Sequence, residues 1–193
     1  PTNTSLALLG RNGVGKTTLM STIMGHATQH SGSIELFGKP IQSLPVYERS
    51  RLGIGYVPQT RDIFPSLTVE ENILIPVWTA KLARPQERLD FVYSVLPELI
   101  EMKDRRALLL SGGQQKLVAL ARALSIGTRL LLLDEPFEGV APALSQRLSE
   151  VIASLAGTTV SVLIAQSDLN HSKNLLNAEV VIERGANLST AVS

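Results

Sequence analysis

Short apolar blocks alternate along this chain with longer stretches in which apolar positions recur every three or four residues, the two periods that separate strands from helices. Ser5 to Leu9 is an apolar block of strand length, and Lys16 to Gly25 follows with helical spacing and a closing glycine. Ser33 to Gly38 reads as a short strand bounded by glycines, and Ile54-Gly55-Tyr56-Val57 as another, closed by Pro58-Gln59. From Thr68 the pattern turns helical: Thr68-Val69-Glu70-Glu71 is a capping box, and Pro85 to Leu96 and Pro97 to Met102 continue in helical spacing. Pro76 falls inside the first of these helices and is expected to kink it. A further helix opens at Gly112-Gly113 and runs to about Ser125, and Arg129 to Leu133 is an apolar strand ending in Asp134-Glu135. Pro142 to Ala156 is an amphipathic helix, and Thr159 to Ala165 and Val180 to Glu183 are the last two strands.

Strands alternating with helices predict an α/β fold with a mostly parallel sheet, in which ligands gather at the carboxyl ends of the strands. We expect one domain over 1–193, with 63–109 as an inserted helical subdomain and 1–62 and 110–193 as the core. At 193 residues, 44% hydrophobic and 18% charged, the chain can bury a core of full size. A net charge of +1 and the lack of any basic run give no reason to expect nucleic acid as a partner. The absence of cysteine excludes disulfides, thiolate catalysis and cysteine metal sites. Apolar runs such as Leu130 to Leu133 have strand length and cannot span a bilayer.

Candidate chemistry begins at Gly10-Arg11-Asn12-Gly13-Val14-Gly15-Lys16-Thr17-Thr18, which fits the phosphate-loop pattern G-x-x-x-x-G-K-[ST] between a strand and a helix. Glycines let consecutive N–H groups turn inward as a nest for phosphate oxygens; Lys16 can reach the β- and γ-phosphates and Thr17 offers a hydroxyl to Mg²⁺. Leu131-Leu132-Leu133-Asp134-Glu135 puts two carboxylates at the carboxyl edge of the sheet, the edge that also carries the loop. Asp134 is suited to hold Mg²⁺ and Glu135 to orient or deprotonate a water. Leu110-Ser111-Gly112-Gly113-Gln114-Gln115 is another set of exposed N–H groups at a helix mouth; by itself it reads as a helix cap made by Ser111, and the company of the phosphate loop and the Asp134-Glu135 strand turns the reading toward a second anion site.

Together these stretches resemble the ATP-binding subunit of ABC transporters over essentially the whole chain. Gly10 to Thr17 is similar to the Walker A loop, Gln59 to the Q-loop glutamine, Leu110 to Gln114 to the LSGGQ signature and Asp134-Glu135 to the Walker B pair. The wording around 10–20, Gly53 to Asn72 and Asp134 to Gly139 looks most like the branched-chain amino acid and urea uptake branch. The resemblance implies an ABC ATPase fold with a P-loop NTPase core, and an ATP hydrolase that uses Mg²⁺ and powers an importer from the inner face of the cell membrane. It implies that Gly10, Arg11, Asn12, Gly13, Val14, Gly15, Lys16, Thr17 and Thr18 bind ATP, with Ser111, Gly112, Gly113 and Gln114 of a second, identical or paralogous subunit closing the site. Thr17, Gln59 and Asp134 would attend the metal, and Glu135, Gln59 and Gln166 the γ-phosphate side. Permease subunits, met by Thr60 to Asn72, and indirectly an extracytoplasmic solute-binding protein would be the partners.

The chain departs from the family pattern at three places. Gln166-Ser167-Asp168 stands where a histidine is usual; glutamine can donate a hydrogen bond but cannot titrate near neutral pH, and the branched-chain branch commonly carries it. His171 reads as a surface residue. Gly139-Val140-Ala141-Pro142 replaces Ser-Ala-Leu-Asp, without its acidic end. With nine residues ahead of the loop, the stacking aromatic and the N-terminal edge strands of the family are expected to be missing. Two other classes remain open: a non-transport ATPase of the superfamily acting on ribosomes or DNA, and an ATP-binding module with weak hydrolysis.

Overall fold

In the computed structural model of the chain, residues 4–60, 62–155, 158–168 and 177–191 are described. In chain order the elements are β1 (Ser5–Leu9), α1 (Lys16–Met24), β2 (Glu35–Leu36), β3 (Lys39–Pro40), α2 (Val46–Arg51), β4 (Ile54–Val57), α3 (Val69–Thr79) and α4 (Pro85–Val95). After two 3-10 turns, Pro97–Met102 and Ala107–Leu109, come α5 (Gly112–Ile126), β5 (Leu130–Asp134), α6 (Pro142–Leu155), β6 (Ser161–Gln166), β7 (Ala178–Glu183) and β8 (Ala186–Ala191).

Six strands form one sheet in the order β4-β5-β6-β1-β7-β8, parallel except for the antiparallel β8. The α/β class and mostly parallel sheet are those expected. Register sets Val57 beside Leu133, Asp134 beside Ala165, and Leu9 beside Gln166. The four neighbouring strands β4, β5, β6 and β1 therefore end along one edge, where Asp134 and Gln166 close β5 and β6 and Gln59, Glu135 and Gly10 lie just beyond β4, β5 and β1.

Alternation along the strands divides the core in two. Leu8, Ile54, Leu132 and Ala165 face Met20 and Met24 of α1. Leu131, Leu133, Val162 and Ile164 face the opposite side, with Val118 and Leu124 of α5, Ile152 of α6, and Ile73 and Val92 of α3 and α4. Both faces are thus covered by helices, which is why the strands read as continuous apolar runs. Asp134 shares the parity of Leu132 and so belongs to the α1 face.

Three expectations need correction. The block Ser33 to Gly38 is not one strand but the first arm and turn of a tight ribbon, with Phe37 at φ 50° and Gly38 at φ 73° turning β2 into β3; two consecutive positive φ values are what a two-residue hairpin turn demands. Val180 to Glu183 does not end the sheet, because β8 pairs beyond it. The short helix α2 was not expected at all. Helix α3 runs on through Pro76 to Thr79, opened by the predicted box: Thr68 caps Glu71 N–H and Glu71 accepts from Thr68 N–H.

Candidate functional site

The loop after β1 is built on glycines for two different reasons. Gly13 and Gly15 have φ of 84° and 111°, the left-handed region, and a Cβ there would meet nothing within 4 Å, so space beside them is open. Gly10 has no such φ; a Cβ there would stand 2.5 Å from Ile182 O and 2.6 Å from Val14 Cγ2. Helix α1 begins at Lys16 with no side chain capping it, which leaves its first N–H groups to an outside acceptor. Lys16 is buried, donating to Gly10 O at 2.6 Å and Arg11 O at 3.2 Å, with Glu135 Oε1 3.0 Å from its ammonium. Arg11, Asn12, Thr17 and Thr18 are exposed along the same loop and first turn.

Asp134 is 1% exposed, and neither of its carboxylate oxygens accepts a hydrogen bond. Burial pushes its carboxyl above the ordinary range, with the Glu135 and Glu138 charges adding to the rise while the Thr17 hydroxyl and Lys16 oppose it. The Tyr56 hydroxyl also lies near Asp134 and Ser21, and burial foremost raises its pKa. Both hydroxyls approach Asp134 without completing a hydrogen bond. A buried carboxylate without donors is what a cation relieves. Among the described residues no three His, Asp or Glu side chains gather to hold a metal. One carboxylate beside a phosphate loop fits Mg²⁺, which takes few protein ligands and completes its shell with phosphate oxygens and water.

Glu135 follows β5 at φ 48°, its N–H donating to Ala165 O at 2.8 Å. This left-handed step swings its side chain out of strand alternation and toward Lys16. Its Oε2 accepts from Ser167 N at 3.3 Å and from Ser167 Oγ at 3.5 Å. Gln166, also buried, closes β6, and its carbonyl accepts from Gly10 N at 3.3 Å.

The structure therefore brings Gly10 to Thr18, Asp134, Glu135 and Gln166 together. Gln59 lies at the same edge but its amide is turned to Glu138. Ser111 and Gln114 form a reciprocal capping box at the mouth of α5, with Gly112 and Gly113 as its first residues. No hydrogen bond or ion pair among the described residues joins 111–114 to the phosphate loop. Three participants escaped the sequence reading: Glu138, Lys116, whose ammonium donates to Glu138 O at 2.8 Å and Pro136 O at 3.3 Å, and Ser167. Ser167 is adjacent to Gln166 and Glu138 lies within the stretch Asp134 to Gly139, the signals available; nothing marked Lys116. His171 lies outside the described residues.

A family model described as ABC transporter matches residues 1–138. The chain is 35% identical over 184 residues to the probable branched-chain amino acid transport ATP-binding protein LivF of Archaeoglobus fulgidus, covering 95% of this chain and 78% of that one. It is 37% identical over 180 residues to the high-affinity branched-chain amino acid transport ATP-binding protein BraG of Pseudomonas aeruginosa, covering 93% and 77%. To the lipopolysaccharide export system ATP-binding protein LptB of Haemophilus influenzae it is 33% identical over 190 residues, covering 97% and 79%. The ADP conformation of MJ1267, an ATP-binding cassette of an ABC transporter, superposes with a TM-score of 0.84 at 27% identity, covering 100% of this chain and 81% of that one.

Proposed function

The chain belongs to the ABC transporter family, and on that premise we propose that it is the subunit whose ATP hydrolysis powers an importer of branched-chain amino acids or a related small solute. It is an ATP-binding protein and an ATP hydrolase of that family. The observation that carries the assignment of roles is the meeting of Lys16, Asp134 and Glu135 at one buried point beside an uncapped helix. Gly10 to Thr18 present N–H groups and the Lys16 ammonium to the phosphates. Thr17 and Asp134 would hold Mg²⁺, with Gln59 on the γ-phosphate side; the ion supplies charge neutralisation at the phosphate oxygens. Glu135 orients the attacking water and accepts its proton, and Gln166 donates toward the γ-phosphate.

Ser111 to Gln114 contribute to the site of a second subunit, identical or paralogous, which gives a use to a capped helix mouth that stands apart from the loop of its own chain. The helical stretch 63–109 is a subdomain inserted between core segments 1–62 and 110–193. An open cleft of about 720 Å³ between α1, α2, α3 and α5, lined by Tyr47, Ser50, Asp62, Pro76, Thr79 and Arg122, is the docking place for a membrane permease subunit. No helix among the described residues is long and apolar enough to cross a membrane; the permease subunit holds the chain at the inner face of the membrane. A solute-binding protein outside the membrane acts only through the permease.

The relatives named for lipopolysaccharide export support a second reading; Gln166, which the branched-chain resemblance expects at this position, favours the first. Hydrolysis measured on the purified chain tests the catalytic part: Glu135→Gln is expected to lower turnover by a factor of about 10³ and to leave ATP bound. Undiminished turnover removes Glu135 from the chemistry. Loss of branched-chain amino acid uptake on deletion, with lipopolysaccharide export intact, separates the two transport readings.

A further inference from the structure

Lys16 has three partners, and they are not equivalent. Two are carbonyls of the loop itself, Gly10 O and Arg11 O. Each belongs to a residue whose backbone is tied down elsewhere: Gly10 N donates to Gln166 O, and Arg11 O also accepts from Val14 N. The third, Glu135 Oε1 at 3.0 Å, comes from another strand end and makes an ion pair without a hydrogen bond of good geometry. Both side chains of this pair are buried, at 5% and 7% exposure. For the ammonium to turn to a phosphate oxygen, one of these contacts must yield, and the charge contact from outside the loop is the one not held by the loop's own backbone.

We propose that the Glu135 carboxylate competes with phosphate oxygens for Lys16, so that Glu135 determines how tightly the loop takes nucleotide, in addition to its part in hydrolysis. The proposal rests on the nucleotide-binding reading of Gly10 to Thr18. An anion already beside the ammonium must be displaced before a phosphate contributes its own attraction, and in a buried site with little water that competition is strong. Displacement does not send Glu135 away: its backbone stays fixed through Ala165 O, and Ser167 N and Oγ retain Oε2. Entry of the phosphates therefore strips Glu135 of its positive neighbour while leaving the carboxylate beside them. The water-activating group becomes free at the moment its substrate arrives.

ADP binding in EDTA, followed with a fluorescent ADP analogue, isolates this effect, because ADP presents no γ-phosphate to hydrolyse and no metal is present. Glu135→Gln is expected to bind ADP at least about fivefold more tightly than wild type. Glu135→Ala should move in the same direction and guards against a fold defect in either variant, with circular dichroism as the check. Glu138→Gln removes an equal charge nearby that does not touch Lys16, and is expected to shift the dissociation constant less than about twofold. Equal affinity in wild type and both Glu135 variants overturns the proposal, as does an equal gain in Glu138→Gln, which would mean a general charge effect. Failure of the wild type itself to bind ADP overturns the nucleotide reading of the loop, and this proposal with it.

Discussion

Gln59 donates from Nε2 to Glu138 Oε2 at 2.6 Å, joining the segment after β4 to the turn behind Asp134 and Glu135 across 79 positions of sequence. Lys116 of α5 holds that turn from the other side through the carbonyls of Pro136 and Glu138. For Gln59 to face a γ-phosphate it must leave Glu138.

Glu138→Ala should therefore lower the KM for ATP by about fivefold, the worth of one ordinary hydrogen bond of about 1 kcal/mol, since this one is exposed to water. kcat should stay within about twofold. Steady-state hydrolysis reads both constants, and an unchanged KM would show that this bond is not broken on the way to the engaged state.

Gly10→Ala tests the close approach at the end of β1. The added methyl would press on Ile182 O and Val14 Cγ2, and we expect a loss of about 1–3 kcal/mol in stability, as for other overpacked sites. ADP affinity should fall more than about tenfold because Val14 lies within the loop. Gly13→Ala meets no atoms and is limited by its positive φ alone, so it should cost only about 1 kcal/mol. Urea titration of the two variants distinguishes crowding from backbone conformation.

Asn72 is fully buried on α3 and staples the segment ahead of its own helix: its Oδ1 accepts from Phe64 N, and its Nδ2 donates to the carbonyls of Phe64, Leu67 and Thr68. Asn72→Ala should destabilise the chain by about 2–3 kcal/mol through backbone groups left without partners. Limited proteolysis should show cleavage within 62–68 before global unfolding. Protection equal to wild type would mean the segment is held by other contacts.

Arg147 of α6 donates to both Glu98 oxygens, at 2.7 and 3.0 Å, and to Val95 O, which ties the end of α4 to the core. The Arg147 hydrogen bonds hold the Glu98 carboxyl below its usual value, against the effect of burial. A carboxyl lowered by folding stabilises above its unfolded pKa, and that share is lost as pH falls through the folded pKa. The pair is partly exposed, so its pH-dependent share should be under about 1 kcal/mol at pH 7. The difference in unfolding free energy between wild type and Arg147→Met should shrink on acidification from about pH 5 to pH 3. A difference independent of pH would assign Arg147 to packing and to Val95 O alone.

The parts of the site that were legible in sequence are those whose chemistry demands fixed spacing within a few residues: the glycine loop with Lys16 and Thr17, the apolar strand ending in Asp134-Glu135, and the Ser111 cap. Alternating periods likewise gave the sheet. Helix α2 escaped because Arg49, polar by composition, is buried and satisfied by the carbonyls of Thr22, Ile23, Gln42 and Leu44; a hydrophobic pattern cannot see that. Strand β8 escaped because its sequence, Ala-Asn-Leu-Ser-Thr-Ala, lacks an apolar alternation and its place comes from antiparallel pairing with β7. The contacts of Lys16 with Glu135 and of Gln59 with Glu138 join distant segments, and no local pattern encodes them.

At the far end of α5, Gly127 lies against Gly55 of β4, where a methyl on Gly55 would collide with Ala123 O and Gly127 Cα. Ser125 Oγ, two residues before Gly127, donates to Ile73 O of α3 at 2.8 Å. Fifteen residues of helix, about 22 Å, separate this junction from Ser111. The helix thus has one end packed on the strand that leads to Gln59 and the other at Ser111-Gly112-Gly113. One helix thereby joins the end proposed for a second subunit's nucleotide to the strand that leads to Gln59 of its own chain, with α3 attached through Ser125.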